Sequence, residues 1–174
     1  MDFSPGCQKG EGCFLAFIIL LLSILFAAVD QLLKILVVRD IKPVGTKALI
    51  PGLLSLDYTE NRGAAFGMMV GWRWIFVAIT AVVCAFIIFA MFRYGHHEFF
   101  SWAASALIVG GGIGNMIDRI LHEYVVDYIH VSFFPAIFDF GDCCVVIGVI
   151  FFIIHVLFFA DRKEPEKVIR RWRT

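Results

Sequence analysis

A chain of 174 residues that is 60% hydrophobic, with a mean hydropathy of +0.85, carries more apolar surface than a soluble domain of this size can bury, so its solvent is lipid. Fifteen Lys and Arg balance fifteen Asp and Glu, so no polyanionic partner is implied; the one dense basic run is the tail from Arg162 to Arg173. The five cysteines, Cys7, Cys13, Cys84, Cys143 and Cys144, are odd in number, lack disulfide-framework or zinc-ligand spacing, and read as small apolar packing residues.

Taken in chain order, four apolar runs reach the ~20 residues needed to cross a ~30 Å hydrocarbon layer. The first, 14–38, carries only Asp30 and Lys34. It opens like a cleavable signal peptide, but Leu32 to Val38 continue the apolar pattern beyond Ala27 and Ala28. The following segment holds Pro43, Gly45, Pro51 and Gly52, and its Leu54, Leu56 and Tyr58 alternate with Ser55, Asp57 and Thr59. That period of two predicts a half-buried strand within an outer β-element at 43–66.

The second and third helices, 74–92 and 99–117, are uncharged and are joined by a loop bearing Arg93, His96 and His97. His122 to Pro135 makes a second outer connection, and the fourth helix, 138–160, is charged only at Asp139 and Asp142. Residues 161–174 form a tail. The predicted architecture is an all-α membrane protein, one integral domain over 1–174, with four transmembrane helices and a small extracytoplasmic β-element. Lys9, Arg93 and six tail residues put eight Lys and Arg on the side of the termini against seven on the other, which predicts cytoplasmic termini.

Ionisable groups inside a membrane are costly, so each marks a candidate site. Here they gather at one face. Asp30 and Lys34 lie near the outer end of the first helix, Asn115, Asp118 and Arg119 close the third, Asp139 and Asp142 open the fourth, and Asp127 sits in the loop between. Two close carboxylates cannot both ionise cheaply and divide into an acid and a base, a pair able to activate water against an amide carbonyl.

Five motifs then appear in order: Asp30-x-x-x-Lys34, Asn61-Arg62-Gly63-Ala64-Ala65-Phe66, Gly111-x-x-x-Asn115-x-x-Asp118-Arg119, Val125-Val126-Asp127-Tyr128 and Phe138-Asp139-Phe140-Gly141-Asp142. Together they resemble lipoprotein signal peptidase (signal peptidase II) across nearly the whole chain. The resemblance implies an aspartic endopeptidase of the bacterial cytoplasmic membrane, with its active site toward the extracytoplasmic face. Its substrate would be a prolipoprotein signal helix bearing a diacylglyceryl cysteine, cut just before that cysteine. It further implies Asp127 and Asp142 as the catalytic dyad, with Asn61, Gly63, Gly111, Asn115 and Arg119 lining the site and Asp30, Lys34 and Asp118 in support. No cofactor or metal is implied, and no nucleic acid; the partners are the lipidated precursor and membrane lipid, with a monomer as the functional unit.

One departure stands out. The family's last motif reads Phe-Asn-x-Ala-Asp, whereas this chain has Asp139 and Gly141 at the Asn and Ala positions. Asp139 is therefore expected to tune the dyad rather than act as a third catalytic acid.

The competing readings are weaker. His96, His97 and Glu98 lie at the opposite face from the carboxylates and read as a solvated loop. His122 and Glu123 begin a zincin-like pattern, but Val126 stands where the second His belongs. Asp139-Phe140-Gly141 lacks the other kinase elements. Gly110, Gly111, Gly112 and Gly114 read as a helix-packing stripe. A presenilin-type protease would have Gly at Asp139, and a carboxylate-relay carrier or channel would spread its charges over several depths.

Overall fold

The computed structural model describes residues 10–63, 71–93 and 98–158. Ala64 to Phe66 of the second motif, the His96–His97 pair, Cys7, and the end of the fourth helix with the basic tail lie outside these. Helices α1 (Gly10–Asp40), α2 (Arg73–Arg93), α3 (Phe99–Leu121) and α4 (Phe140–Phe158) are joined by two strand pairs, β1 (Thr46–Ile50) and β2 (Leu54–Asn61) between α1 and α2, and β3 (Val125–Val131) and β4 (Ile137–Phe138) between α3 and α4. All four helices are long and apolar enough to cross a membrane.

At about 1.5 Å per residue, the 31 residues of α1 exceed a ~30 Å hydrocarbon layer by roughly half its thickness. The excess carries the charged end of α1 up to the sheet. There Val37 and Ile41 bury against Val126 and Tyr128 of β3. Elsewhere the helices turn large apolar side chains outward, Leu21, Val82, Phe86 and Leu157 among them, as a lipid-facing surface requires.

Helix α3 is the central one and packs on each of the other three. Its small residues permit this. A Cβ on Gly111 would press into the carbonyl oxygen of Gly141, and one on Gly114 into the carboxylate of Asp30. Both contacts join α3 to the elements that carry the acidic side chains, so the glycines of α3 set how closely those side chains converge.

The sheet is antiparallel throughout, in the order β1-β2-β3-β4. The β1–β2 turn follows from Pro51 and Gly52: Pro fixes φ at the first central position, Gly52 takes φ of 76° at the second, and the Leu53 N–H donates to the Ile50 carbonyl. The predicted strand at Leu54–Tyr58 extends to Asn61 and lies between β1 and β3; the second connection supplies β3 and also β4, which pairs with β3. Helix α4 begins at Phe140 because Phe138 is still paired to Ile129 in the sheet. Cys84 and Cys144 are buried packing residues, but Cys13 is disulfide-bonded, which corrects the reading of all five as packing residues.

Candidate active site

Two elements and the residue that joins β4 to α4 deliver the acidic cluster. Asp127 comes from β3, Asp142 from the first turn of α4, and Asp139 from the residue just before α4; their carboxylate oxygens lie within 4.8 Å of one another. Asp127 is 3% exposed and Asp139 fully buried. Each member of the Asp127–Asp142 pair has an asparagine. Asn61 Nδ2 donates to Asp127 Oδ2 at 2.8 Å, and Asn115 Nδ2 donates to Asp142 Oδ1 at 2.9 Å. Asn61 is held in turn by the Gly63 N–H, which donates to its Oδ1 at 3.0 Å.

Behind Asp142 stands a buried lysine. Lys34 Nζ forms ion pairs with Asp30 (2.8 Å), Asp118 (3.0 Å) and Asp139 (2.7 Å), and donates to Asn115 Oδ1 at 2.8 Å. A buried cation survives only with such pairing, and three carboxylates need it as much as it needs them. Every one of these acids also holds backbone. Asp30 Oδ1 accepts from the Gly141 N–H at 2.9 Å, Asp118 Oδ2 from the Val126 N–H at 3.2 Å, and Asp139 Oδ1 from the Asp142 N–H at 2.6 Å. Lys34 therefore ties α1, α3, β3 and the start of α4 into one unit, and the Val126 link fixes the strand beside Asp127.

Burial pushes the Asp127 carboxyl up to about 8 against the opposing hydrogen bond from Asn61, and the neighbouring charges of Asp139 and Asp142 add to the rise. Asp127 Oδ1 has no hydrogen-bond partner among the described residues. A protonated carboxyl with a free oxygen is suited to give a proton to a carbonyl brought against it. Asp142 sits where the N-terminal dipole of α4 favours negative charge. The pair thus has the asymmetry that acid–base chemistry on an amide needs.

Of the residues singled out from sequence, Asn61, Gly63, Asn115, Asp118, Asp139, Asp30 and Lys34 all join this network directly, and Gly111 abuts it through Gly141. Arg119 is placed differently. Its guanidinium donates to the Asn115 carbonyl at 3.3 Å and lies over the Phe76 ring, 5.4 Å from its centroid. Gln31 is the member sequence reasoning missed: its amide donates to Asp118 Oδ1 at 3.0 Å and to the Gly114 carbonyl at 3.1 Å. An uncharged amide inside an apolar helix was the available signal.

Residues 22–158 match the signal peptidase (SPase) II family. Curated relatives include the lipoprotein signal peptidase of Streptococcus pyogenes serotype M6, 41% identical over 132 residues, covering 75% of this chain and 87% of that one. The lipoprotein signal peptidase of Caldanaerobacter subterraneus subsp. tengcongensis is 40% identical over 121 residues, covering 70% and 83%. A bacterial membrane enzyme solved in meso at 2.3 Å superposes with a TM-score of 0.72 at 27% identity, covering 94% of this chain and 98% of that chain. A second such structure, at 1.9 Å, gives 0.69 at 27% identity, covering 91% and 100%.

Proposed function

The chain belongs to the signal peptidase II family, a membrane peptidase acting on lipoprotein precursors, and from that premise we propose that Asp127 and Asp142 are the dyad that performs its hydrolysis. The observation that carries the assignment is the convergence of two carboxylates from separate elements to within 4.8 Å, each held by its own asparagine. Asp142 is the base and takes a proton from water as the water oxygen bonds to the scissile carbonyl carbon. Asp127 is the acid and gives its proton to the carbonyl oxygen. Collapse breaks the C–N bond as the proton held by Asp142 passes to the leaving amine and one hydroxyl of the intermediate returns its proton to Asp127, restoring the starting dyad.

The bond cut is the one before the diacylglyceryl cysteine of a prolipoprotein. Apolar, outward-facing helix surfaces beside the site suit both the signal helix and the acyl chains, whose burial contributes about 0.8 kcal/mol per methylene. The enzyme acts as a monomer in lipid, with both termini cytoplasmic and the dyad at the extracytoplasmic end of the helices. The Cys13 disulfide, a bond characteristic of oxidising compartments, is the feature that pulls against this orientation, and labelling of single cysteines from each side of the membrane decides it.

The carboxylate trio also has a spacing that a hard divalent cation accepts. Both oxygens of Asp139 are already committed, one to the Asp142 N–H and one to Lys34, which favours the acid–base reading. The test is incubation of the purified protein in lipid with a prolipoprotein carrying or lacking its diacylglyceryl group. The lipidated precursor should shift in size and the unlipidated one should be cut poorly. Equal processing of both would remove the lipid specificity, and cleavage of neither would remove the assignment.

A further inference from the structure

The residue that departs from the family's pattern occupies the middle of the network. Asp139 spends one oxygen on the Asp142 N–H at 2.6 Å and the other on the Lys34 ammonium at 2.7 Å. These are two donors on opposite sides of one carboxylate. An asparagine has a single acceptor oxygen and a donor amide in place of the second, so it can meet only one of them. Turned toward Asp142, it would set its NH₂ against the ammonium; turned toward Lys34, it would set its NH₂ against a backbone N–H. The carboxylate of this chain is thus not exchangeable with the amide the family's motif places here.

We propose that Asp139 is a positioning residue for the dyad, its carboxylate fixing Asp142 against Lys34 and adding a further negative charge beside Asp127 and Asp142. This rests on the dyad assigned above. The groups facing Asp139 are Asp30 and Lys34 from α1, Asp127 and Tyr128 from β3, and Asp142, Cys143 and Cys144 from α4, while α3 contributes Asp118 through Lys34 and Arg119 through Asp142. Lys34 is the cation it touches, already shared with Asp30 and Asp118, so the charge of Asp139 is only partly cancelled. What remains is a like charge within 4.8 Å of both carboxylates, and it makes Asp127, which lies on β3, harder to ionise.

Two measurements on the full chain in lipid test this. The first compares the pH dependence of kcat and kcat/KM for the wild type and Asp139→Asn with a lipidated precursor. Removing the charge should carry the alkaline limb of the profile, set by Asp127, to lower pH and reduce kcat several-fold at the variant's own optimum, with KM unchanged. A profile that superimposes on the wild type overturns the proposal, even if the variant melts at lower temperature. The second measurement is thermal unfolding of Asp139→Asn, Lys34→Met and the double variant, which needs no activity. The double should be less destabilised than the sum of the singles, because Lys34→Met strands a carboxylate that Asp139→Asn then neutralises. Additive losses overturn the ion-pair link. Absence of cleavage by the wild type would instead remove the assigned function, leaving the unfolding cycle to judge the link by itself.

Discussion

The two halves of the proposed dyad are built to different standards of rigidity. On the Asp142 side, Asn115 of α3, Lys34 of α1 and Asp139 just before α4, all three buried, brace one carboxylate and its backbone. On the Asp127 side a single hydrogen bond from Asn61 holds the carboxylate, and its other oxygen is uncommitted among the described residues. A base that must stay charged in a membrane needs such bracing. An acid that holds its proton at neutral pH needs far less, because a neutral carboxyl is cheap to bury.

The largest effects should come from removing either half. Asp127→Asn and Asp142→Asn should each abolish cleavage while the protein stays inserted and folded, and the double variant should be little worse than either single, since the two act as one unit. Near-normal turnover in either variant, measured by precursor processing, would break the pair.

Next in size is the brace itself. Lys34→Met leaves Asp30, Asp118 and Asp139 buried without their cation and should cost about 3–5 kcal/mol of stability, read by thermal unfolding in detergent. Gly111→Ala should cost somewhat less, about 1–3 kcal/mol, because the new methyl meets the carbonyl oxygen of Gly141, and backbone at the start of α4 would have to shift. A Gly111→Ala protein as stable and active as the wild type would show that α4 is not seated as tightly as the comparison requires.

The loosely held side gives the subtler test. The Asn61 hydrogen bond favours the ionised form of Asp127, whose carboxyl stands at about 8. Asn61→Ala should therefore raise it further and move the alkaline limb of the kcat/KM profile to higher pH. This is opposite to the shift expected for Asp139→Asn. Movement of both variants in one direction would erase the distinction between the two sides.

Much of this site could be read from the chain itself. Asp30, Lys34, Asn115, Asp118 and Asp142 fall within apolar helices, where each polar side chain needs a reason to be present, so their gathering at one end was visible before any fold. The pairings were not. That Lys34 reaches Asp139 across more than a hundred residues depends on how closely α3 lets α1 and α4 approach, and the glycines that permit this read only as a packing stripe. The strand at Val125–Val131 escaped because Val125 to Tyr128 are buried without interruption, which erases the alternation that identified Leu54 to Tyr58. Arg119 lies over Phe76, donates to the Asn115 carbonyl of its own helix and stands within electrostatic reach of Asp142, a placement its sequence position alone did not give.

The most direct measurement of the central claim is infrared difference spectroscopy of the lipid-embedded protein titrated from neutral to alkaline pH, following the carbonyl stretch of protonated carboxyls. The account predicts a protonated carboxyl at neutral pH that is lost with a midpoint near 8 and whose band is absent from Asp127→Asn but present in Asp142→Asn. A band that survives Asp127→Asn and disappears in Asp142→Asn would reverse the acid and base, and no titrating carboxyl in that range would contradict the shared-proton dyad altogether.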